Sequence, residues 1–362
     1  MIPLFKVHTP AGVGAVVEAV FASGMIAEGE KVVEFEKAFS DKFGAEHVVI
    51  VNSGTSALAL AARLLGIAPG DEVVTSPMSC FATFAPFFNA GAKLVWTDVD
   101  PTTGNIDAAD VARKITSKTK AILAVHWAGQ PFDYDAVKAA AGNIPVVCDA
   151  AHALGAWYKN RPIAAVGDTV IHSFQAIKHL TTIDGGCLIV RDAETAARAR
   201  LLRWFGLDRS FKGGSKWEQD IPEAGYKYHC SNVAAAIGLA QMPYIDGILA
   251  RHRANSARYD REITTPRVEK LRRSTDSVSS CWIYSLLVDD PAAFKAYATE
   301  RGVAVDVVHV RNDRYSVFRD FADPNLPGLT SFASRLMNIP VGWWLSDDDV
   351  THIVEVVNRW KP

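Results

Sequence analysis

The stretch VIHSFQAIKHLTTIDGGCLIV, residues 170–190, places a single lysine between two apolar runs. These runs, Val170–Phe174 and Cys187–Val190, predict neighbouring strands, and the Thr- and Gly-rich segment between them predicts a turn. Lys178 follows the first strand closely, so we expect it to be partly removed from water. Desolvation lowers the pKa of the amine and makes a lysine a usable nucleophile for an aldehyde. Because most lysines are solvated surface charges, this assignment needs support from other residues.

A second segment, NSGTS at residues 52–56, offers a binding site for an anion. It follows the β-branched run Val48–Val51 and opens an apolar helical run, Ala57–Leu65. Backbone N–H groups and hydroxyls would then meet at the positive end of a helix, where a phosphate binds readily. An ordinary Ser or Thr cap of that helix is the alternative.

A carboxylate ends the strand predicted at Val146–Asp149, and small residues and His152 follow it. A buried aspartate is costly without a cationic partner. A protonated pyridine nitrogen would satisfy Asp149, and this ion pair is what makes pyridoxal phosphate an electron sink. The alternative is that Asp149 caps a helical segment at Ala150–Ala156. Together with Lys178 and the predicted phosphate turn, Asp149 favours a pyridoxal phosphate site.

From about Gly29 to Gly238 the chain resembles the DegT/DnrJ/EryC1/StrS aminotransferases, also called the sugar aminotransferases, and a weaker resemblance continues to the C-terminus. An ordered series of motifs carries the resemblance: Asn52-Ser53-Gly54-Thr55, Gly70 to Val74, Asp98-Val99-Asp100, Thr116 to Lys120, His126 with Gly129-Gln130-Pro131, Asp149-Ala150-Ala151-His152, Ser173-Phe174 with Lys178, and Asp184-Gly185-Gly186. It implies an α/β protein, a fold-type I pyridoxal phosphate-dependent transferase (aspartate aminotransferase-like), with a mostly parallel central sheet and a smaller C-terminal α/β domain.

The resemblance also implies roles for individual residues. Lys178 would be the Schiff-base lysine and Asp149 the partner of the pyridine nitrogen, which makes these two the expected catalytic residues. His152 stands where the family more often has a glutamine, near the 3-hydroxyl of the cofactor. A histidine can donate there with a charge that depends on pH, or it can be a core histidine satisfied by backbone. The residues expected to hold the phosphate are Gly54, Thr55, Ser56 and Ser173.

Two positions depart from the family pattern. Where the family has an aromatic residue stacked on the pyridine ring, this chain has Cys80, with Phe81 next to it. Either the thiol lies against the ring or Phe81 turns in, and both are expected as cofactor-binding residues. Lys227 stands where the family commonly has an asparagine that reaches the phosphate of the partner subunit. A lysine could make this contact with a full charge, or it could be a solvated surface residue.

Strands alternating with helical patterns predict the same fold independently. Between the runs already described, β-branched segments at Val73–Thr75, Leu94–Thr97 and Ala121–His126 predict further strands of a largely parallel sheet. An apolar stripe at helical spacing, formed by Val32, Phe35, Phe39 and Phe43, predicts a core helix. A change in composition near residue 242 predicts a large cofactor-binding domain at 1–241 and a small domain at 242–362. The small domain should contain a strand at Trp282–Val288 and a helix at Pro291–Arg301.

The substrate is inferred largely from the resemblance. We expect an amino group to pass from an amino acid, with glutamate the expected donor, to a keto-sugar, most simply a nucleotide-linked 4-keto or 3-keto deoxysugar of surface polysaccharide or glycoside biosynthesis. His309 and Arg311 lie in a polar cluster that could bind the nucleotide diphosphate, or could be an exposed charged turn. The alternatives are a sugar dehydratase of the same family, which has histidine at the lysine position, and a non-catalytic regulatory protein.

Bulk properties narrow the partners further. A formal net charge of −2 gives no polyelectrolyte signal, so nucleic acid is not expected as a partner. No basic leader and no uninterrupted apolar run long enough to span a membrane is evident, and the five scattered cysteines show no metal-ligand spacing. These features predict a cytoplasmic protein without a metal, and the resemblance predicts a homodimer with shared sites.

Overall fold

The computed structural model of the protein describes residues 1–215 and 217–361. The α-helices are α1 (Val13–Ala22), α2 (Glu30–Phe43), α3 (Gly54–Leu64), α4 (Phe81–Asn89), α5 (Ala108–Lys114), α6 (Tyr134–Ala141), α7 (Ala193–Leu202), α8 (Asn232–Gln241), α9 (Ile245–Glu262), α10 (Pro291–Glu300), α11 (Pro327–Arg335) and α12 (Asp347–Asn358). The strands are β1 (His47–Val51), β2 (Glu72–Thr75), β3 (Lys93–Trp96), β4 (Thr119–Val125), β5 (Val146–Asp149), β6 (Trp157–Tyr158), β7 (Arg161–Pro162), β8 (Thr169–Ser173), β9 (Gly186–Val190), β10 (Val268–Lys270), β11 (Ser277–Val278), β12 (Tyr284–Val288) and β13 (Leu336–Ile339).

The central sheet has the strand order β1-β9-β8-β5-β4-β2-β3 among the described residues. Neighbours from β8 through β3 pair in parallel, whereas β9 is antiparallel to both β1 and β8. Strand β9 alone therefore runs against the other strands of this sheet. The predicted α/β fold with a mostly parallel central sheet is confirmed. Because the other strands share one direction, their carboxyl ends meet at one edge of the sheet, where ligands bind in such folds.

Both faces of the sheet are buried, which explains why its strands read as nearly continuous apolar runs. Successive residues of β1 enter opposite cores: Val48 and Ile50 pack on the α2 side, and Val49 and Val51 on the α3 side. The predicted aromatic stripe lies on the buried face of α2. There Phe39 contacts Phe174 just past the end of β8, with ring centroids 5.6 Å apart.

A second, antiparallel sheet, β10-β12-β13, forms the centre of the C-terminal part with α9, α10 and α12 around it. The N-terminus joins this part, since Ile2 pairs with Val303 in a parallel bridge. The boundary predicted at residue 242 falls in a 3₁₀ turn, Met242–Tyr244, between α8 and α9. Early residues of α9 pack into the core beneath the large sheet, and late residues of α9 pack into the small core. The division at 242 remains a prediction.

The helical stretch Asn232–Glu262 differs from one sequence expectation. Its most apolar 18-residue window has a mean hydropathy of 1.4, so by length and composition it could cross a membrane. In the fold it supplies Ala235 and Ile245 to the main core, and core helices of globular proteins meet the same criterion. The stretch therefore carries no argument for a membrane-spanning role.

Trp282 was predicted to begin a strand, but β12 begins only at Tyr284. Cys281 has a left-handed φ of 54°, which turns the chain before the strand. The N–H of Trp282 instead bonds to Ala128 O, at 3.1 Å, beside the carboxyl end of β4. The strand was predicted from the β-propensity of tryptophan and its neighbours. The position of Trp282 depends instead on its hydrogen bond with Ala128, which lies more than 150 residues earlier in the sequence.

Replacing Phe39 with alanine should lower the free energy of unfolding by about 3–5 kcal/mol, since it removes a fully buried ring and leaves a cavity. Chemical denaturation followed by circular dichroism measures the change. Val33→Ala on the same helix is the matched control, because Val33 is 65% exposed, and it should change stability by less than about 0.5 kcal/mol. Equal losses in the two variants would contradict the assigned core.

Candidate active site

The carboxyl edge of the sheet gathers the predicted site residues. Asp149 ends β5 and Ser173 ends β8, and these strands are parallel neighbours. The turn after β1 reaches the same edge because β9 bridges the two strands: Gly186 is the register partner of both Val51 and Ser173. Residues far apart in sequence are thereby brought to one edge.

The predicted phosphate turn forms the serine cap that was its alternative interpretation. Ser53 caps α3, since its Oγ accepts from Ser56 N at 3.0 Å, and Ser56 Oγ donates to Asn52 Oδ1 at 2.6 Å. The first N–H groups of a helix have no partner within the helix, and Thr55 is exposed at the open edge. The cap is therefore present at the start of α3, and binding of the cofactor phosphate there remains a prediction.

Glycine is required where this turn crosses the neighbouring strands. A Cβ on Gly186 would lie 2.5 Å from Gly54 N, and a Cβ on Gly54 would lie 3.1 Å from Ser173 Cβ. Side chains at these positions would push the turn away from β8 and β9. The close approach keeps the hydroxyl of Ser173 beside the first turn of α3.

Lys178 is half-buried, and the removal of its amine from water lowers its pKa to about 8, while the charges of Asp149 and Cys80 act in the opposite direction. Its Nζ lies 3.8 Å from the centre of the Trp282 ring. Trp282 is held in turn by a hydrogen bond from its Nε1 to Ile177 O, at 3.0 Å. An amine that loses its proton near pH 8 is the nucleophile that the sequence predicted.

Asp149 is buried at 3% exposure and makes no ion pair with another described residue. Its Oδ1 accepts from Ala151 N at 3.0 Å, and its Oδ2 accepts from Thr83 Oγ1 at 2.7 Å. Burial raises the pKa of this carboxyl group, and the bonds from Thr83 and Ala151 and the charge of Lys178 oppose the rise. A buried carboxylate with hydrogen-bond donors but no fixed cation fits a protonated ring nitrogen.

His152 and His309 form a stack beside Lys178. The His152 ring lies 3.9 Å from the Trp282 ring at an interplanar angle of 13°, and its Nε2 is 3.2 Å from Nε2 of His309. Burial lowers the pKa of His152 well below its usual value and that of His309 to about 3, so both rings are neutral at physiological pH. His152 Nδ1 is buried without a hydrogen-bond partner among the described residues. It is thus free to bond a polar group of a bound cofactor, which fits the predicted role.

Cys80 and Phe81 separate at the start of α4. Cys80 lies close enough to Lys178 for its charge to affect the pKa of the lysine. Phe81 packs instead on the C-terminal segment, with ring centroids 5.9 Å from Tyr315 and 5.5 Å from Phe318. This arrangement favours Cys80 as the residue facing the cofactor ring. Which of the two touches the ring remains a prediction.

The last predicted residues lie at the rim. Lys227 is exposed, and its main-chain carbonyl accepts from Asn52 Nδ2 at 3.3 Å, so it borders the phosphate turn. Arg311 already makes a two-point ion pair with Asp313, with Nη2 2.6 Å from Oδ2 and Nε 2.8 Å from Oδ1. It would have to leave this partner to bind a phosphate, and its role remains a prediction.

Sequence reasoning missed Trp282 and Thr83 as site residues. Thr83 follows Cys80 and Phe81 by a few residues but carried no signal of its own, because its contact with Asp149 spans 66 residues. Trp282 lies 130 residues from the histidine that it stacks on, and only the fold of the C-terminal part brings it to the site.

Comparison with known proteins agrees with this geometry. Residues 13–358 match the DegT/DnrJ/EryC1/StrS aminotransferase family. The chain belongs to this family. The spore coat polysaccharide biosynthesis protein SpsC of Bacillus subtilis is 34% identical over 359 residues, which cover 92% of this chain and 90% of SpsC. The sugar aminotransferase CalS13 from Micromonospora echinospora superimposes with a TM-score of 0.95 at 38% identity, covering 99% of this chain and 100% of CalS13.

Spr1654 from Streptococcus pneumoniae, solved in PLP and PMP forms, has a TM-score of 0.92 and 27% identity in its PLP form, covering 99% of this chain and 97% of its own. The family uses pyridoxal phosphate, and the predicted cofactor and fold-type I architecture are confirmed. The protein is a pyridoxal phosphate-dependent sugar aminotransferase, rather than the dehydratase or regulatory protein of the alternative interpretations.

The amine of Lys178 should react with aldehydes in a pH-dependent manner, with a midpoint near pH 8. Below the midpoint the ammonium form is unreactive, and above it the neutral amine attacks, so the labelling rate should rise about tenfold from pH 7 to well above 8. Cofactor-free protein would be treated with a small aldehyde and borohydride at each pH and mapped by peptide mass spectrometry. Lys178→Arg is the control. A midpoint near 10 would show that the lysine is not desolvated.

Proposed function

We propose that this enzyme transfers an amino group from an amino acid, with glutamate as the donor that the family resemblance implies, to a nucleotide-linked 4-keto or 3-keto deoxysugar in surface polysaccharide or glycoside biosynthesis. The observation that carries the proposal is the pair formed by desolvated Lys178 and buried Asp149 at the open edge of the sheet. The names of two relatives support the sugar and polysaccharide context. A cytoplasmic location suits such a substrate.

Each residue contributes a separate physical step. When bound, pyridoxal phosphate supplies an electron sink for the carbanion that forms when the α-proton of the donor leaves. Lys178, with a pKa of about 8, can take that proton from the α-carbon and return it at C4′ of the cofactor. Asp149 would stabilise a positive charge at the ring nitrogen, and the first turn of α3 would hold the phosphate.

The predicted substrate-binding cluster of His309 and Arg311 offers less free charge than its sequence suggested, because His309 is neutral and Arg311 is paired with Asp313. His309 is neutral and reaches the stack on Trp282, where it can exchange hydrogen bonds with a sugar hydroxyl. Arg311 holds Asp313 and Thr330 and thereby fixes the segment that carries His309. We propose that His309 contacts the sugar and that Arg311 acts on a nucleotide only if Asp313 releases it.

A half-reaction screen tests the substrate class. Enzyme loaded with the amino form of the cofactor would be mixed with 3-keto and 4-keto nucleotide sugars, and the return of the aldehyde-form absorption band would be followed. We expect return with at least one nucleotide sugar, and at least about tenfold slower return with the same sugar lacking its nucleotide, since a lost charged contact costs about 1.5 kcal/mol or more. Lys178→Ala is the blank. Return with simple oxo-acids but with none of the sugars would refute the proposed substrate.

We also propose a homodimer in which Lys227 reaches the phosphate bound by the partner subunit. Its exposure on a single chain supports this arrangement, and the family resemblance implies a residue at this position that reaches the partner's site. A cationic donor near a dianionic phosphate is favourable where water is partly excluded.

Lys227→Ala should weaken cofactor retention by about 10- to 100-fold, the range for losing a hydrogen bond to a charged group, while Lys227→Asn should retain more because it keeps a donor. Dialysis against buffer without cofactor, followed by an absorbance measurement of the cofactor that remains bound, measures retention. Mixing Lys178→Ala with Lys227→Ala subunits should restore activity, since some mixed dimers contain one site with both lysines. Lys178→Ala alone and Lys227→Ala alone are the controls, measured at a cofactor concentration low enough that Lys227→Ala alone is inactive. An active monomer in sedimentation would exclude the shared site.

A further inference from the structure

Three buried oxygen atoms form a chain that ends on the cofactor-binding carboxylate. Ser79 Oγ lies 2.9 Å from Thr83 Oγ1, and Thr83 Oγ1 lies 2.7 Å from Asp149 Oδ2. All three side chains are at least nine-tenths buried. We call Ser79, Thr83 and Asp149 the hydroxyl relay.

The direction of the hydrogen bonds follows from the number of protons available. An ionised carboxylate only accepts, so Thr83 must donate its single hydroxyl proton to Asp149. Ser79 must then donate its own proton to Thr83. If Asp149 takes up a proton, it can donate to Thr83 and the order can reverse. The fully ordered relay therefore matches the ionised form of Asp149, and each bond strengthens the next.

The relay is anchored by the segment that also carries His309. Asn312 is fully buried, and its Nδ2 donates to Ser79 O at 2.6 Å and to Pro77 O at 3.2 Å. Its backbone N–H donates to Pro77 O at 2.9 Å. Thr83 lies in the first turn of α4, where its N–H bonds to Cys80 O at 3.0 Å. Both hydroxyl groups are thus held by backbone contacts that do not depend on the carboxylate.

We infer that Thr83 and Ser79 are positioning residues that keep Asp149 ionised and oriented, and so set the proton on the ring nitrogen of the cofactor. The relay acts through Asp149 and does not depend on which sugar or donor the enzyme uses. It also gives the segment at residues 309–313 a physical connection to the electronics of the cofactor.

Electrostatics explain why such a device is needed. Burial favours the neutral form of Asp149, and the charge of Lys178 opposes this; the strand neighbour Cys148 is itself affected by Asp149. The help from Lys178 disappears whenever its amine is neutral, and burial keeps the thiol of Cys148 protonated by raising its pKa. The donors that remain are Ala151 N–H and the Thr83 hydroxyl. Of these, only Thr83 can be removed by substitution.

The test uses two measurements on the full chain, one infrared pH titration and one absorption spectrum. In the cofactor-free protein, the infrared C=O stretch of protonated Asp149 would be followed against pH, with Asp149→Asn identifying the band. In the loaded protein without substrate, the visible absorption maximum would be recorded. Thr83→Val removes the donor at nearly constant volume, Thr83→Ser restores it, and Ser79→Ala removes only the outer hydroxyl.

In Thr83→Val the midpoint for protonation of Asp149 should rise by about one to two pH units, because one hydrogen bond to a charged group is lost. In Ser79→Ala it should rise by about a few tenths of a unit, and Thr83→Ser should match the parent. The absorption maximum of loaded Thr83→Val should move toward that of Asp149→Asn. In the Asp149→Asn background, Thr83→Val should cause no further movement.

Unchanged midpoints in Thr83→Val, or equal spectral movement in the two backgrounds, would overturn the inference, because a merely structural threonine would act without Asp149. If Thr83→Val does not fold, Ser79→Ala decides: an Asp149 midpoint equal to that of the parent would overturn the relay, and a raised midpoint together with an absorption change that is absent in the Asp149→Asn background would support it.

Discussion

Exclusion of water from a few ionisable groups at one edge of the sheet is the constraint on which this site depends. Lys178 and Asp149 would both be charged and unremarkable at the surface. Burial moves the pKa of the amine down and that of the carboxyl group up, so each group approaches the range in which it can exchange a proton. The surrounding structure supplies what burial removes. Thr83 and Ala151 donate to the carboxylate, and the face of Trp282 supports the ammonium form.

The sheet creates that environment by its topology. Parallel strands with both faces covered leave only their ends near solvent, and α3 begins where β1 ends. Strand β9, which runs against its neighbours, places Gly186 between β1 and β8. Because Gly186 has no side chain, the phosphate turn and Ser173 can approach each other. The predicted phosphate turn and the desolvated amine of Lys178 can therefore lie close together at one edge of the sheet.

The C-terminal part completes the site from outside. Trp282 and His309 come from chain segments on either side of β12 and α10, and both contact His152. The same region sends Asn312 to the backbone before α4. The C-terminal part thus provides Trp282, His309 and the anchor for Ser79, rather than only a cover. The proposed sugar contact, His309, and the anchor of the hydroxyl relay, Asn312, consequently lie on one segment of chain.

The strands, the core stripe of α2, the cap at the start of α3 and the position of Lys178 and Asp149 at the carboxyl edge of the sheet could be predicted from the sequence, because each depends on short-range patterns. An apolar run such as Val146–Asp149 indicates a strand buried on both faces. A glycine-rich turn after a strand indicates that the backbone there approaches its neighbours closely. Trp282, the pairing of His152 with His309, the outward turn of Phe81 and the contact of Thr83 with Asp149 were decided only by tertiary structure. These contacts join residues 66 to 234 positions apart, and their energy comes from packing and desolvation that exist only once the two parts of the chain meet.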